Sequence, residues 1–211
     1  MSAADACRRV SKGADRPRRL VLRYHPAMWR VGIAVLFLWS SAVHADDALW
    51  GLLQKGGQVV LVRHAVTDPG VGDPPGFKID DCTTQRNLSD AGKREAERLG
   101  AAIKARNVPI ARVLTSPWCR CRDTARIAFG GADVDTSLSN LFEYPHNRDR
   151  QRAGFRKLVA AAPKTGNLFL VTHGSTTLAF TGVSPGTAEM IIVTPQPDGQ
   201  VRVAGRLPLG P

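Results

Sequence analysis

At 211 residues, 43 % apolar and 22 % charged, the chain has the length and make-up of one globular domain with a substantial core. Residues 1–45 hold eight Arg or Lys against two Asp, which leaves 21 basic against 16 acidic residues in 46–211, a net +5 out of the formal +11. That excess suits a small anionic ligand; with aromatics at 6 %, it is too weak for a nucleic-acid surface.

Residues 1–27 are Arg-rich and lack hydrophobic periodicity. Met28 opens a different pattern: Trp29-Arg30, an apolar run Val31 to Trp39, then small residues to Ala45. This is the layout of a secretory signal, with a positive start, a short apolar stretch and Val43 and Ala45 at the small positions. The expectation is a true start at Met28, cleavage before Asp46, and an exported or periplasmic domain 46–211. The apolar run is too short to span a bilayer comfortably, so no stable membrane insertion is expected after cleavage.

Ala48 to Lys55 reads as a short amphipathic helix closed by Gly56-Gly57. Val59 to Val62 is a continuous apolar run, the mark of a buried strand, and it ends in Arg63-His64. Asp68 to Asp81 is a long loop rich in Pro, Gly and Asp, and such length favours a functional role. Ser89 is a good N-cap for a helix to about Arg106. Ile110 to Thr115 is a second strand ending in Ser116-Pro117, followed by a helix from Cys119 to Phe129. Asp133 to Leu138 reads as a short strand, Asn140 to Arg150 as a polar loop, and Gln151 to Ala162 as a basic helix. Asn167 to Thr172 is a third buried strand, ending in His173-Gly174. A helix over 175–181 and late strands over Ala188 to Thr194 and Val201 to Leu207 complete the pattern, with a turn at Pro197-Asp198-Gly199. Alternating strands and helices predict a three-layer α/β/α sandwich around a mostly parallel sheet.

Three strand ends share one feature. Arg63-His64 ends the first, Ser116 with Arg120 follows the second, and His173 ends the third. In a parallel sheet these ends lie on one edge and can face a single crevice. Two imidazoles and two guanidiniums around one crevice suit a tetrahedral, multiply charged anion, since guanidinium donors match phosphate oxygens. A neutral imidazole nitrogen can also attack phosphorus.

Four blocks in order resemble those of the histidine phosphatase superfamily, the phosphoglycerate-mutase-like fold. They are L-V-R-H-A-V-T (61–67), N-L-S-D-A-G-K-R-E-A (87–96), S-P-W-C-R-C-R-D-T-A (116–125) and L-F-L-V-T-H-G (168–174). The resemblance spans about 57–194. It implies that His64 takes the phosphoryl group and that Arg63, Arg120 and His173 hold its oxygens, with Ser116 and Thr67 at family positions near the pocket. It implies neither a metal nor a cofactor. Ala65 stands where many members have Gly, Gly70 where many have Asn, and Gly174 rather than Asp follows His173. Gly174 after His173, and a first block that is not Arg-His-Gly-x-Arg-x-Pro, point away from the acid-phosphatase and phytase branch, and the lack of a Trp-Glu-Gly block points away from a mutase. The remaining likeness is to the small exported bacterial type, similar to lipopolysaccharide core heptose phosphatases. The expected partner is a small phosphorylated substrate, not a nucleic acid. The alternatives are a phosphate- or phosphosugar-binding module without catalysis, and a protein phosphohistidine phosphatase.

Glu143, in L-F-E-Y, stands where members often carry the proton donor; Asp68, Asp81 and Glu189 compete for the role. His146 in the same loop reads as a surface residue. The Gly182-Val183-Ser184-Pro185-Gly186 run matches a serine-hydrolase elbow in letters only, since Pro185 has no N–H for an oxyanion hole. Cys-x5-Arg fails from Cys82, Cys119 and Cys121. Those three with His146 make a zinc site on paper, but with weak spacing. In an oxidising compartment Cys82 is expected to pair with Cys119 or Cys121, or all three stay reduced.

Overall fold

The computed structural model describes residues 46–197 and 200–209. The expected signal segment, and Asp198 and Gly199 of the expected turn, lie outside the described residues. Residues 46–55 form helix α1. Strand β1 (Val59–Arg63), helix α2 (Asp90–Ala105), strand β2 (Ile110–Thr115) and helix α3 (Cys119–Phe129) follow. Then come strand β3 (Asp133–Val134), helix α4 (Arg148–Ala160), strand β4 (Asn167–Thr172), helix α5 (Gly174–Thr181) and strands β5 (Met190–Pro195) and β6 (Val201–Leu207).

The strands make one six-stranded sheet in the order β3-β2-β4-β1-β5-β6. β1, β2, β3 and β4 run parallel; β5 is antiparallel to both β1 and β6. Strand alternation splits the core into two layers. Val60, Val62, Phe169, Val171, Met190 and Ile192 pack with Leu53 of α1, Leu99 and Ile103 of α2 and Ala125 of α3. Val59, Leu61, Leu168, Leu170, Ile191 and Val193 pack with Phe155 and Val159 of α4 and Phe180 of α5. The expected three-layer α/β/α architecture is therefore the observed one.

This topology creates the crevice. From β1 the chain crosses over through α2, on one face, to β2; from β4 it crosses through α5, on the other face, toward β5. β1 and β4 are neighbours whose connections leave in opposite directions, so their C-terminal ends flank a switch point.

Several boundaries differ from the sequence reading: β5 runs from Met190 to Pro195 rather than from Ala188 to Thr194, and α4 ends at Ala160 rather than Ala162. The strand expected over Asp133 to Leu138 stops at Val134, because the Asp135 side chain accepts from Ser137 N and turns Thr136–Leu138 into a 3-10 helix. The polar loop from Asn140 is shorter than expected. It contains a 3-10 turn, Pro145–Asn147, and α4 already begins at Arg148.

The long loop after β1 is tied down covalently. Cys82 pairs with Cys119, across a sequence separation of 37, and Cys121 remains a free, buried thiol. The bond rules out the four-residue zinc set, because two of its thiols are consumed. Closing a loop of this length is worth about 4 kcal/mol in the chain-entropy model. Reduction, or Cys82→Ser, should therefore lower the urea-unfolding free energy by about 2–4 kcal/mol. Equal stability with and without reductant, with the bond shown broken by thiol counting, would contradict this.

Candidate active site

His64 follows directly on β1, and His173 directly on β4, where it caps α5. The two strand ends are joined by a hydrogen bond from His64 N to Thr172 O, 2.9 Å. The imidazole centroids are 5.4 Å apart with planes at 68°. Both rings are almost fully buried, at 5 % and 2 % exposure.

The backbone after His64 is held from two helices. Thr124 of α3 accepts from Ala65 N at 3.1 Å, and Glu95 of α2 accepts from Val66 N at 2.7 Å. Ser89 caps α2 by accepting from Gly92 N, while its own N–H donates to Val66 O. Gly92 permits this approach, since a Cβ there would stand 1.9 Å from Val66 O. The second and third sequence blocks thus act as a clamp on the segment that carries His64.

His64 Nδ1 lies 2.9 Å from Ala65 O, a carbonyl that can only accept, so Nδ1 carries the proton and Nε2 keeps its lone pair. Burial pushes the His64 pKa down to about 3, helped by the charges of Arg120, Arg63 and Arg86 and opposed by the bond to Ala65. Burial, then His64, Arg120 and Arg63, hold His173 well below its ordinary value. Ser116 Oγ is 2.8 Å from His173 Nε2. The Cys121 thiol also lies 3.5 Å from that nitrogen, and burial pushes its pKa up to about 12, so it is an inert neighbour.

Both imidazoles are neutral in the fold, and this has a sign. An unfolded chain takes up protons below about pH 6.5, while the folded imidazoles do not until far lower pH. Stability should therefore fall as pH drops from 6.5 toward 3, by about 1.4 kcal/mol per pH unit for each imidazole. His64→Ala should remove one imidazole's share of that slope in phosphate-free urea titrations at pH 6.5 and 5. An unchanged slope would show that His64 titrates normally.

A cavity of about 340 Å³ opens over the strand ends. His64, His173, Arg63 and Arg120 all line it, as does Arg86, which the sequence reading missed. Arg86 stands one residue before the second sequence block, in a loop without periodicity. The three arginines share one arrangement. Each uses Nη1 on the protein: Arg63 to Pro185 O, Arg86 to Gly70 O and Arg120 to Asp73. Each leaves a buried Nε with no hydrogen-bond partner among the described residues. An unpaired buried donor is costly, and three on the residues of one cavity could pair with a multivalent anion. Gly174 and Ser175, at the N-terminus of α5, also line the cavity, and the helix end adds partial positive charge.

Ser116 and Thr67 sit differently from expectation. Ser116 is fully buried behind His173 and does not line the cavity. Thr67 pairs with Leu88 in an isolated bridge, also off the cavity wall.

Among the candidate acids, Asp81 caps the 3-10 helix Cys82–Thr84 and is occupied by Thr83. Glu189 is 2 % exposed and bound to Arg206 and Gly186 N. Asp68 is exposed and off the cavity wall. Glu143 stands at the cavity rim: its Oε1 accepts from Asp73 N at 3.0 Å, and a Cβ on cavity-lining Gly72 would come within 3.1 Å of it. Its Oε2 makes no hydrogen bond among the described residues. His146 is exposed and packs edge-on against Tyr144.

The fold is similar to that of several solved proteins. One is the protein histidine phosphatase SixA complexed with tungstate, at TM-score 0.51 and 18 % identity over 71 % of this chain and 96 % of that one. Another is the Rv3214 product of Mycobacterium tuberculosis, at 0.52 and 17 % over 69 % and 94 %. A third is mycobacterial glucosyl-3-phosphoglycerate phosphatase with VO3, at 0.51 and 18 % over 70 % and 97 %. No curated protein matches the chain. Residues 59–143 match the family model of the histidine phosphatase superfamily (branch 1), and the described residues carry the histidine phosphatase fold.

Proposed function

We propose that this chain is a histidine phosphatase: a phosphomonoesterase that works through a phosphohistidine at His64, with a small anionic phosphate ester as substrate. The observation that carries the reading is a cavity lined by the neutral His64 ring and by three arginines whose Nε atoms have no partner among the described residues. Solved proteins of like fold hold tungstate or VO3, oxyanions related in shape to phosphate.

In the proposed reaction His64 Nε2 attacks phosphorus as the ester P–O bond breaks. Arg63, Arg86, Arg120 and His173 hold the other oxygens and carry the charge that builds on them. Glu143 Oε2 gives its proton to the leaving alkoxide. Water then attacks phosphorus, Glu143 takes its proton, and the P–N bond breaks to release phosphate and restore neutral His64. Ser116 acts from behind by holding the His173 ring. A cell-envelope phosphosugar and an exported location belong to the proposal. They are supported by residues 28–45 and by the Cys82–Cys119 bond, which suits an oxidising compartment.

The test is hydrolysis of nitrophenyl phosphate by the purified 46–211 chain, followed by a panel of sugar phosphates and a phosphohistidine protein. A burst of nitrophenolate followed by steady turnover is expected. Tight phosphate binding without turnover would instead leave a binding module, and turnover of the phosphohistidine protein alone would give a protein phosphohistidine phosphatase.

A further inference from the structure

Three guanidiniums face the cavity, and the carboxylate of Asp73 forms an ion pair with one of them. Asp73 lies in the long loop after β1, yet its side chain is fully buried at 0 % exposure. It accepts three hydrogen bonds: from Arg120 Nη1 at 2.8 Å, Trp118 Nε1 at 2.9 Å and Arg86 N at 2.9 Å. Building on the phosphatase reading, we propose that Asp73 is the positioning residue of the site. By taking Nη1 of Arg120 it turns the Nε–Nη2 edge of that guanidinium to the substrate phosphate.

The geometry separates this role from two others. A carboxylate that blocked the anion site would occupy the edge a phosphate needs, but Asp73 takes Nη1 and leaves Arg120 Nε unpaired. A proton donor would need to hold a proton. Burial alone would raise the Asp73 pKa, but the bonds from Arg120, Arg86 N and Trp118 outweigh it and keep the carboxylate below its usual range. Charge also fits: three guanidiniums against one carboxylate leave an excess of two, which a phosphate dianion cancels.

Asp73 reaches the rest of the site as well. Without it, Arg120 Nη1 would keep, among the described residues, only Arg86 O, at 3.5 Å. The Trp118 indole it anchors packs edge-on against His173, with centroids 5.2 Å apart. Its own N–H holds Oε1 of Glu143. One loop residue thus touches the phosphate side, the ring behind His173 and the candidate acid.

Orthovanadate binding by calorimetry, kcat/KM on nitrophenyl phosphate and Tm test the proposal together. Asp73→Ala should weaken orthovanadate binding and lower kcat/KM by about 10²-fold, the cost of an ångström-scale misplacement. Asp73→Ser, too short to reach Arg120, should behave alike if the alanine variant does not fold. Asp73→Asn keeps an acceptor for Arg120 and should recover at least about 10-fold of the loss, although its clash with the Trp118 N–H keeps Tm low. Asn167→Ser removes buried hydrogen bonds at the opposite end of β4, to Leu53 O and Pro109 O, and should lower Tm without moving orthovanadate affinity. Parent-like binding by the alanine or serine variant, or an asparagine variant no better than they are, overturns the proposal. If the parent neither binds orthovanadate nor hydrolyses the ester, the phosphatase reading itself has failed. The Arg120 Nε–H resonance, ordered in the parent and lost in Asp73→Ser, still reports whether Asp73 fixes that side chain.

Discussion

His64→Ala should abolish turnover, by about 10⁴-fold or more, as removal of a covalent nucleophile does. It should also prevent acid-labile, alkali-stable phosphate labelling of the protein. The expectation rests on a ring that needs no activation step. Nδ1 donates to Ala65 O, Nε2 keeps its lone pair, and a pKa of about 3 leaves the ring neutral across the physiological range. An unbound His64 with an ordinary pKa would be partly protonated at pH 6. His173 has the same neutrality but is engaged by Ser116, and it lies 5.4 Å away, so it does not replace the missing nucleophile. The variant should still bind orthovanadate, because all three arginines remain. Chelators should leave the parent rate unchanged, since guanidiniums supply the positive charge at this site. A labelled His64→Ala protein, or activity lost to EDTA and restored by a divalent metal, would refute the mechanism.

The strand ends were legible because their signal is local. Val59 to Val62 and Leu168 to Val171 are continuous apolar runs, and a histidine stands two residues past the end of each, so the sheet edge and its two imidazoles follow from short stretches. The Ser89 cap and the need for Gly92 are local too. What escaped depends on distant contacts. Asp73 and Arg120 are 47 residues apart, and nothing in a Pro- and Gly-rich loop says which of its carboxylates turns inward. Asp68, Asp73 and Asp81 look alike in sequence; only the fold buries Asp73. Arg86 was missed for the same reason. The disulfide partner was ambiguous by two residues, and helix geometry resolves it. Residues 119 and 121 project about 200° apart on α3, so only one can face the loop. Cys121 faces the core with Val62 and Val171, which leaves Cys119 for Cys82. Ser116 and Thr67 sat at family positions, but position in a motif does not say whether a side chain lines the cavity or stands behind it.

Glu143→Gln should slow P–O cleavage of alkyl and sugar phosphates by about 10² to 10⁴-fold while barely changing the burst of nitrophenolate from nitrophenyl phosphate. An alkoxide is a poor leaving group and needs a proton as the P–O bond breaks; nitrophenolate leaves without one. Glu143 has the position for this task. Asp73 N holds Oε1 at 3.0 Å, Oε2 has no partner among the described residues, and the adjacent Gly72 and Phe142 line the cavity. The rival carboxylates are spent elsewhere: Asp81 on a cap, Glu189 on Arg206, and Asp73 on three donors. The glutamine keeps the bond from Asp73 N, so the loop should hold its place and orthovanadate affinity should not change. The amide cannot give up a proton on this timescale, so the alkyl substrate loses its proton source. Nitrophenyl phosphate should still be slowed at the second step if Glu143 also activates water. Burst kinetics separate the two, because the burst rate reports P–O cleavage and the steady rate reports hydrolysis of phosphohistidine. Equal slowing of both bursts, or of neither, would remove Glu143 from the role of proton donor.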